Sequence, residues 1–240
     1  MATFTRGDVT LYFEEHGSGF PILLIAPGGM RSELALWDRA PWNPIEVLAP
    51  HYRVIAMDQR NAGRSTAPVR ATDSWHVYTE DQLALLDHLG VDRFHVAGMC
   101  IGGSYGLALA RAVPDRVTSA VLFQPIGLDG NRSAFFDMFD GWADDLRDDR
   151  PDTPAAAWTA FRDAMYGNDF VFSVTTDDVA ACTTPMLVLR GNDLYHPAVT
   201  SETIARIAPN ATLIPQWKDA DSVAVGRDAV VRFLAEHTPG

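Results

Sequence analysis

The segment that most constrains this chain is Val96-Ala97-Gly98-Met99-Cys100-Ile101-Gly102-Gly103, where a short apolar strand runs straight into a Gly-x-Cys-x-Gly-Gly turn and then into the helical pattern Ser104 to Ala112. Glycines two before and two after the central residue leave room for a strained strand-to-helix elbow, which projects the central side chain above a sheet. Cys100 is therefore the first candidate for a reactive atom. The competing reading, a buried cysteine that merely packs, fits the flanking glycines poorly.

The rest of the chain alternates in the same way. Val9 to His16 alternates like a strand, and apolar runs follow at Pro21 to Ala26, Arg53 to Asp58, Phe94 to Ala97, Ser119 to Phe123, Met186 to Arg190 and Ala211 to Pro215. Between them lie helix-period segments at Leu34 to Leu48, Thr79 to Leu89, Gly103 to Ala112, Ser201 to Ile207 and Ser222 to Glu236. Strand and helix in this order predict an α/β fold, a mostly parallel twisted sheet with helices on both faces.

One segment breaks the rhythm. Residues 129–178 carry no convincing strand, but hold Phe135, Phe136, Phe139, Trp142, Trp158, Phe161, Met165, Tyr166, Phe170 and Phe172 among many aspartates. Aromatics at helical spacing with acids opposite predict a helical cap over the carboxyl edge of the sheet. Residues 1–128 and 179–240 are then the core, and 129–178 an inserted lid. The alternative is that these aromatics pack only on one another.

Charge and cysteine content narrow the function. The net charge of -12 over 240 residues disfavours a nucleic-acid or anionic-membrane surface, which would need Lys and Arg in excess. No signal-peptide pattern opens the sequence and no apolar run is long enough to span a bilayer, so a soluble, cytoplasmic protein acting on a small molecule is expected. With only Cys100 and Cys182 present, and one of them in the elbow, a structural disulfide is not expected. The histidines lack metal-site spacing, and Gly17-Ser18-Gly19 lacks the third glycine of a dinucleotide loop, so no metal and no cofactor are expected. Oligomeric state has no signature.

With the elbow at Cys100, Pro27-Gly28-Gly29-Met30 after an early strand, Asp58-Gln59-Arg60-Asn61-Ala62-Gly63-Arg64-Ser65 after the next, and the later turn Gly191-Asn192-Asp193, the chain resembles the α/β-hydrolase fold family, here with a helical cap. The family often has His-Gly where this chain has Pro27-Gly28, and Arg-Gly where it has Arg60-Asn61. The elbow is also similar to that of dienelactone hydrolases, which carry Gly-x-Cys-x-Gly-Gly and use Cys-Asp-His, but keep the histidine on the last loop and lack such a cap. The resemblance implies oxyanion donors at the amide of Ile101 and in the loop at Gly28, with Gly29 and Met30 as the candidates, and an orienting acid at Asp193.

The base is where this chain departs from the family. The loop after the last strand reads Pro215-Gln216-Trp217-Lys218-Asp219-Ala220-Asp221-Ser222 and contains no histidine. His196, on the loop that carries Asp193, is one replacement, although it could instead cap the following helix. His76, before the helix that precedes the elbow strand, is a second. Lys218 or Asp219, in the vacated position, is a third, since a thiolate held by charge needs less help from a base. His16, His51, His88, His95 and His237 read as core or surface residues.

Together these residues predict an enzyme in which Cys100 attacks an ester, lactone or thioester of a small apolar or aromatic substrate to give an acyl-enzyme that water releases. Two alternatives stay open. One is acyl transfer, cyclisation or bond cleavage without water, which the missing histidine would favour, and the other is a ligand-binding protein that kept the fold and lost the base.

Overall fold

Eight strands form one sheet in the computed structural model, which describes residues 2–240. They are β1 (Ala2–Arg6), β2 (Val9–His16), β3 (Pro21–Ile25), β4 (Arg53–Met57), β5 (Phe94–Met99), β6 (Val117–Phe123), β7 (Met186–Leu189) and β8 (Ala211–Ile214), in the order β1-β2-β4-β3-β5-β6-β7-β8. β2 is antiparallel to both β1 and β4, and β4 through β8 are parallel.

Successive side chains on the central strands enter two different cores. Leu23 and Ile25, Ile55 and Met57, Val96, and Ala120 and Leu122 face one side. Ile22 and Leu24, Val54 and Ala56, Ala97, and Val121 and Phe123 face the other. Burial on both faces explains why these strands read as unbroken apolar runs. On the first face lie α2 (Trp75–His88), α3 (Ile101–Ala112) and α7 (Ala198–Ile207); on the second, α1 (Pro44–Leu48) and α8 (Val223–His237). Between β6 and β7 the chain forms α4 (Arg132–Arg147), α5 (Ala155–Tyr166) and α6 (Thr176–Ala181), whose Phe139, Trp142, Phe161 and Val179 extend the first core.

Two details differ from the sequence reading. The expected helix Leu34 to Leu48 is two pieces, a 3-10 helix at Leu34–Arg39 and α1, because Pro41 disfavours helix at Ala40 and Pro44 opens α1 as its first residue. The strand β1 had no apolar face to announce it, since none of its residues is fully buried. It pairs with β2 across the Gly7-Asp8 turn, with Gly7 at φ 58.

The topology fixes where a site can form. β3 lies between β4 and β5, so the chain order reverses on either side of it, and the loops leaving β3 and β5 part over a crevice at the carboxyl edge. Ile25 pairs with Gly98, which sets the Pro27-Gly28 loop beside the Cys100 elbow.

Close approach dominates helix propensity at that crevice. A Cβ at Gly102 would lie 2.3 Å from the Ile25 carbonyl oxygen, whereas one at Gly141, on the exposed side of α4, would meet nothing within 4 Å. Alanine in a helix is worth about 1 kcal/mol over glycine, and overpacking costs about 1–3 kcal/mol. Gly102→Ala should therefore lower the urea midpoint and Gly141→Ala should raise it, with the m value unchanged. Equal shifts in the two variants would contradict this packing.

Candidate active site

Cys100 joins β5 to α3 with φ 61 and ψ -120, a conformation that L residues rarely adopt. Strain of this kind costs about 1–3 kcal/mol and persists only where the surroundings impose it. Here they do. The Cys100 amide donates to the Phe123 carbonyl at 3.0 Å, and the Cys100 carbonyl accepts from Gly103 at 3.1 Å and from Ile126 at 3.3 Å. A Cβ at Gly98 would fall 2.0 Å from the Gly102 carbonyl oxygen, so the bend closes only with glycine there.

The loop after β7 brings the expected acid and a histidine into one tight turn. His196 Nδ1 and Asp193 Oδ1 are 2.6 Å apart, and the same oxygen accepts from the amides of Tyr195 at 3.1 Å and His196 at 3.2 Å. A Cβ at Gly191 would sit 2.3 Å from the His196 carbonyl oxygen, so this turn too needs its glycine. With Nδ1–H donating to the carboxylate, Nε2 is left as the free ring nitrogen. That Nε2 is buried and has no hydrogen-bond partner, and His196 lines the same cavity as the Cys100 thiol, close enough for each group to shift the other's titration.

The pairing shifts both partners. Burial pushes the Cys100 thiol up, but hydrogen bonding and charge from His196, with the amides of Gly28 and Ile101, outweigh it and bring the thiol below its ordinary range. Burial pushes His196 down, and Cys100 and then Asp193 more than reverse it, so the imidazole is raised. Both shifts favour thiolate beside imidazolium. Asp193 is 46% exposed, so its charge is screened and its main effect is to hold the ring and tautomer.

The loop amide that reaches the sulfur is that of Gly28. Gly29 and Met30, the expected donors, stand one and two residues beyond it: Gly28 turns at φ 115, and a 3-10 turn begins at Gly29. Gly29 still lines the cavity, whereas Met30 is buried in the core. Ile101 occupies the expected place at the start of α3. Amides from two different loops, Gly28 and Ile101, thus act on the same sulfur.

Above the thiol lies a cavity of about 240 Å³, walled by Ile126, by Phe135 and Met138 of α4, by Tyr166 of α5 and by Tyr195. Among the aromatics of 129–178, Phe135 and Tyr166 meet this space. Phe139, Trp142, Trp158 and Phe161 pack edge-on against one another instead.

The other candidate bases lie apart from the thiol or act on something else. His76 is exposed at the start of α2 and lines a separate surface groove. Asp219 is exposed, and its carbonyl accepts from the amides of Ser222 at 2.9 Å and Val223 at 2.8 Å at the start of α8. Lys218 does approach the site, donating to Gln124 Oε1 at 2.7 Å and lying 3.8 Å from the second Asp193 oxygen, so it braces the acid. Gln124, at φ 38, was not singled out from the sequence; no local motif marks it. His95 is a core residue between Ser119 and Thr238, pushed down to about 4 by burial and by His237. Among the described residues no group of three or more His, Cys, Asp or Glu is placed to hold a metal ion.

Comparison with known proteins agrees with this architecture. The family described as alpha/beta hydrolase fold matches residues 21–182. The protein named "Putative carbamate hydrolase RutD" from Azorhizobium caulinodans is 40% identical over 116 residues, which is 48% of this chain and 41% of that protein. A fluoroacetate dehalogenase from a Burkholderia species is 37% identical over 125 residues, 50% of this chain and 39% of its own length. The chain thus spans about two fifths of the length of these curated relatives. A solved meta-cleavage product hydrolase from Pseudomonas fluorescens IP01 superposes with a TM-score of 0.73 at 20% identity, covering 99% of this chain and 98% of that one.

The coupled pair has a pH signature. In a Cys182→Ser background, iodoacetamide should alkylate Cys100 with an inflection below the usual thiol range, the rate falling as the pH drops through it. His196→Ala should move that inflection upward, because burial then acts with less opposition. An unmoved inflection would contradict the pairing.

Proposed function

The chain belongs to the α/β-hydrolase fold family, and from that membership we propose that it is a cysteine-dependent hydrolase of small acyl compounds, an ester, lactone or thioester. What supports this reading above all is the Nε2 of His196, buried beside the Cys100 thiol with its other nitrogen held by Asp193. The absent histidine after β8 was the main ground for chemistry without water. Taking His196 as the base removes that ground.

The steps follow from the positions. The Cys100 thiolate attacks the acyl carbonyl, forming a carbon–sulfur bond, and the amides of Gly28 and Ile101 receive the oxyanion. As the intermediate collapses, the bond to the leaving group breaks and the leaving atom takes the proton from His196. Water then gives a proton to Nε2 and attacks the thioester carbonyl. Collapse releases the acid and returns thiolate and imidazolium. Asp193 orients the ring throughout, and Lys218 steadies Asp193.

The wall of Ile126, Phe135 and Met138 favours an apolar or aromatic acyl group, and about 240 Å³ admits only a small one. The two curated relatives are named for small substrates, a carbamate and fluoroacetate. The segment 129–178 acts in this reading as the lid that supplies that wall.

Turnover of 4-nitrophenyl butyrate tests the assignment. Cys100→Ala should abolish it, and His196→Ala should lower kcat/KM by about 100- to 10,000-fold, the usual contribution of a general acid–base. Asp193→Asn should cost less than His196→Ala, because the carboxylate is half exposed. Retained activity in Cys100→Ala would remove the covalent route.

A further inference from the structure

His196 sits in a turn that ties itself together. The amides of Asp193 and His196 each donate to the other's carbonyl, at 3.3 and 3.2 Å, and the Asp193 carboxylate accepts from the Tyr195 and His196 amides and pairs with the ring. These bonds give the turn its shape. They do not place it against the Cys100 sulfur, which belongs to a different pair of elements.

That placement comes from the segment after β6. The Ile126 amide donates to the Cys100 carbonyl at 3.3 Å, and the next amide, that of Gly127, donates to the Tyr195 carbonyl at 3.3 Å. Asn131 closes the connection. Its Nδ2 donates to the Gly127 carbonyl at 3.1 Å and to the Leu194 carbonyl at 2.5 Å, and its Oδ1 accepts from the Asp129 amide at 2.9 Å. The reverse orientation of the amide would set its oxygen against two carbonyl oxygens, so the network fixes which end is which. The other holds from outside act elsewhere: the Gly191 amide donates to Ser201 Oγ ahead of the turn, and Lys218 faces the Asp193 carboxylate.

Asn131 is buried and stands just before α4, where an asparagine ordinarily caps a helix. Its side chain accepts from no α4 amide, so capping does not account for it. We propose that Asn131 is a positioning residue, which through the Leu194 carbonyl registers the Asp193–His196 turn on the Cys100 elbow and so sets the imidazole against the thiol. Its effect on turnover rests on the hydrolase reading; the placement of His196 does not. Asn131 also begins the helix that carries Phe135 and Met138, so one short segment sets both the histidine and the cavity wall.

The iodoacetamide profile reads this placement without a substrate. In the Cys182→Ser background, Asn131→Ala should raise the Cys100 inflection by about half or more of the shift that His196→Ala produces. Asn131→Leu, which keeps a similar shape without the donors, should do the same. Joined to His196→Ala, Asn131→Ala should move the inflection no further, since it acts through that ring. Arg132→Ala, which removes the bonds to the Tyr166 and Asn168 carbonyls but none to the Asp193–His196 turn, should leave it in place. On 4-nitrophenyl butyrate, Asn131→Ala should lower kcat/KM by about 10- to 100-fold, the scale of a small misplacement of a reacting group. If wild type does not turn this ester over, the hydrolase reading fails while alkylation still decides the proposal. An unmoved inflection in either Asn131 variant, a further shift in the double variant, or an equal shift in Arg132→Ala overturns it.

Discussion

The meeting of the Cys100 thiol with the His196 imidazole is the contact to which the other features of the site are subordinate. Neither group reaches it alone. The thiol is presented by a strained backbone that closes only because Gly98 and Gly102 carry no side chains, and the imidazole is aimed by a carboxylate three residues earlier on its own loop. Once they meet, each shifts the other toward the charged form, against the burial that opposes charge in both. A thiolate made in advance needs less from a base at the moment of attack.

Placing acid and histidine on one loop changes what the rest of the site must do. The loop after β8 contains no histidine, and its residues take supporting positions: Trp217 is buried and donates to the Arg190 carbonyl at 2.9 Å, while Lys218 spans Gln124 and Asp193. The half-exposed Asp193 contributes chiefly geometry. Its one oxygen fixes the turn through two amides and the ring through Nδ1, so the tautomer is set by the same contacts that fold the loop.

Most of the fold was legible because both faces of the sheet are buried, which turns β3 through β7 into continuous apolar runs with helices between them. The exception, β1, buries no residue fully and so leaves no periodic trace. The elbow was legible for a stronger reason, since only glycine satisfies the close approaches around Cys100. Candidate bases could be ranked only by the loops that carry them, His196 first for sharing a loop with Asp193, because what separates it from His76 is through-space distance across loops after different elements. Which amide of the Gly28-Gly29-Met30 loop would face the sulfur was not legible, as a left-handed turn at Gly28 leaves no mark on a Gly-Gly pair beyond the pair itself. Tyr166 was visible as one aromatic among nine in 129–178, and nothing local told which of them would meet the cavity.

The covalent role of Cys100 is tested most directly by intact-protein mass spectrometry after rapid mixing with 4-nitrophenyl butyrate and acid quench. The account predicts a butyryl adduct at Cys100 that decays with turnover in wild type and accumulates in His196→Ala, where deacylation lacks its base. Steady turnover with no adduct, or an adduct on another residue, would contradict it.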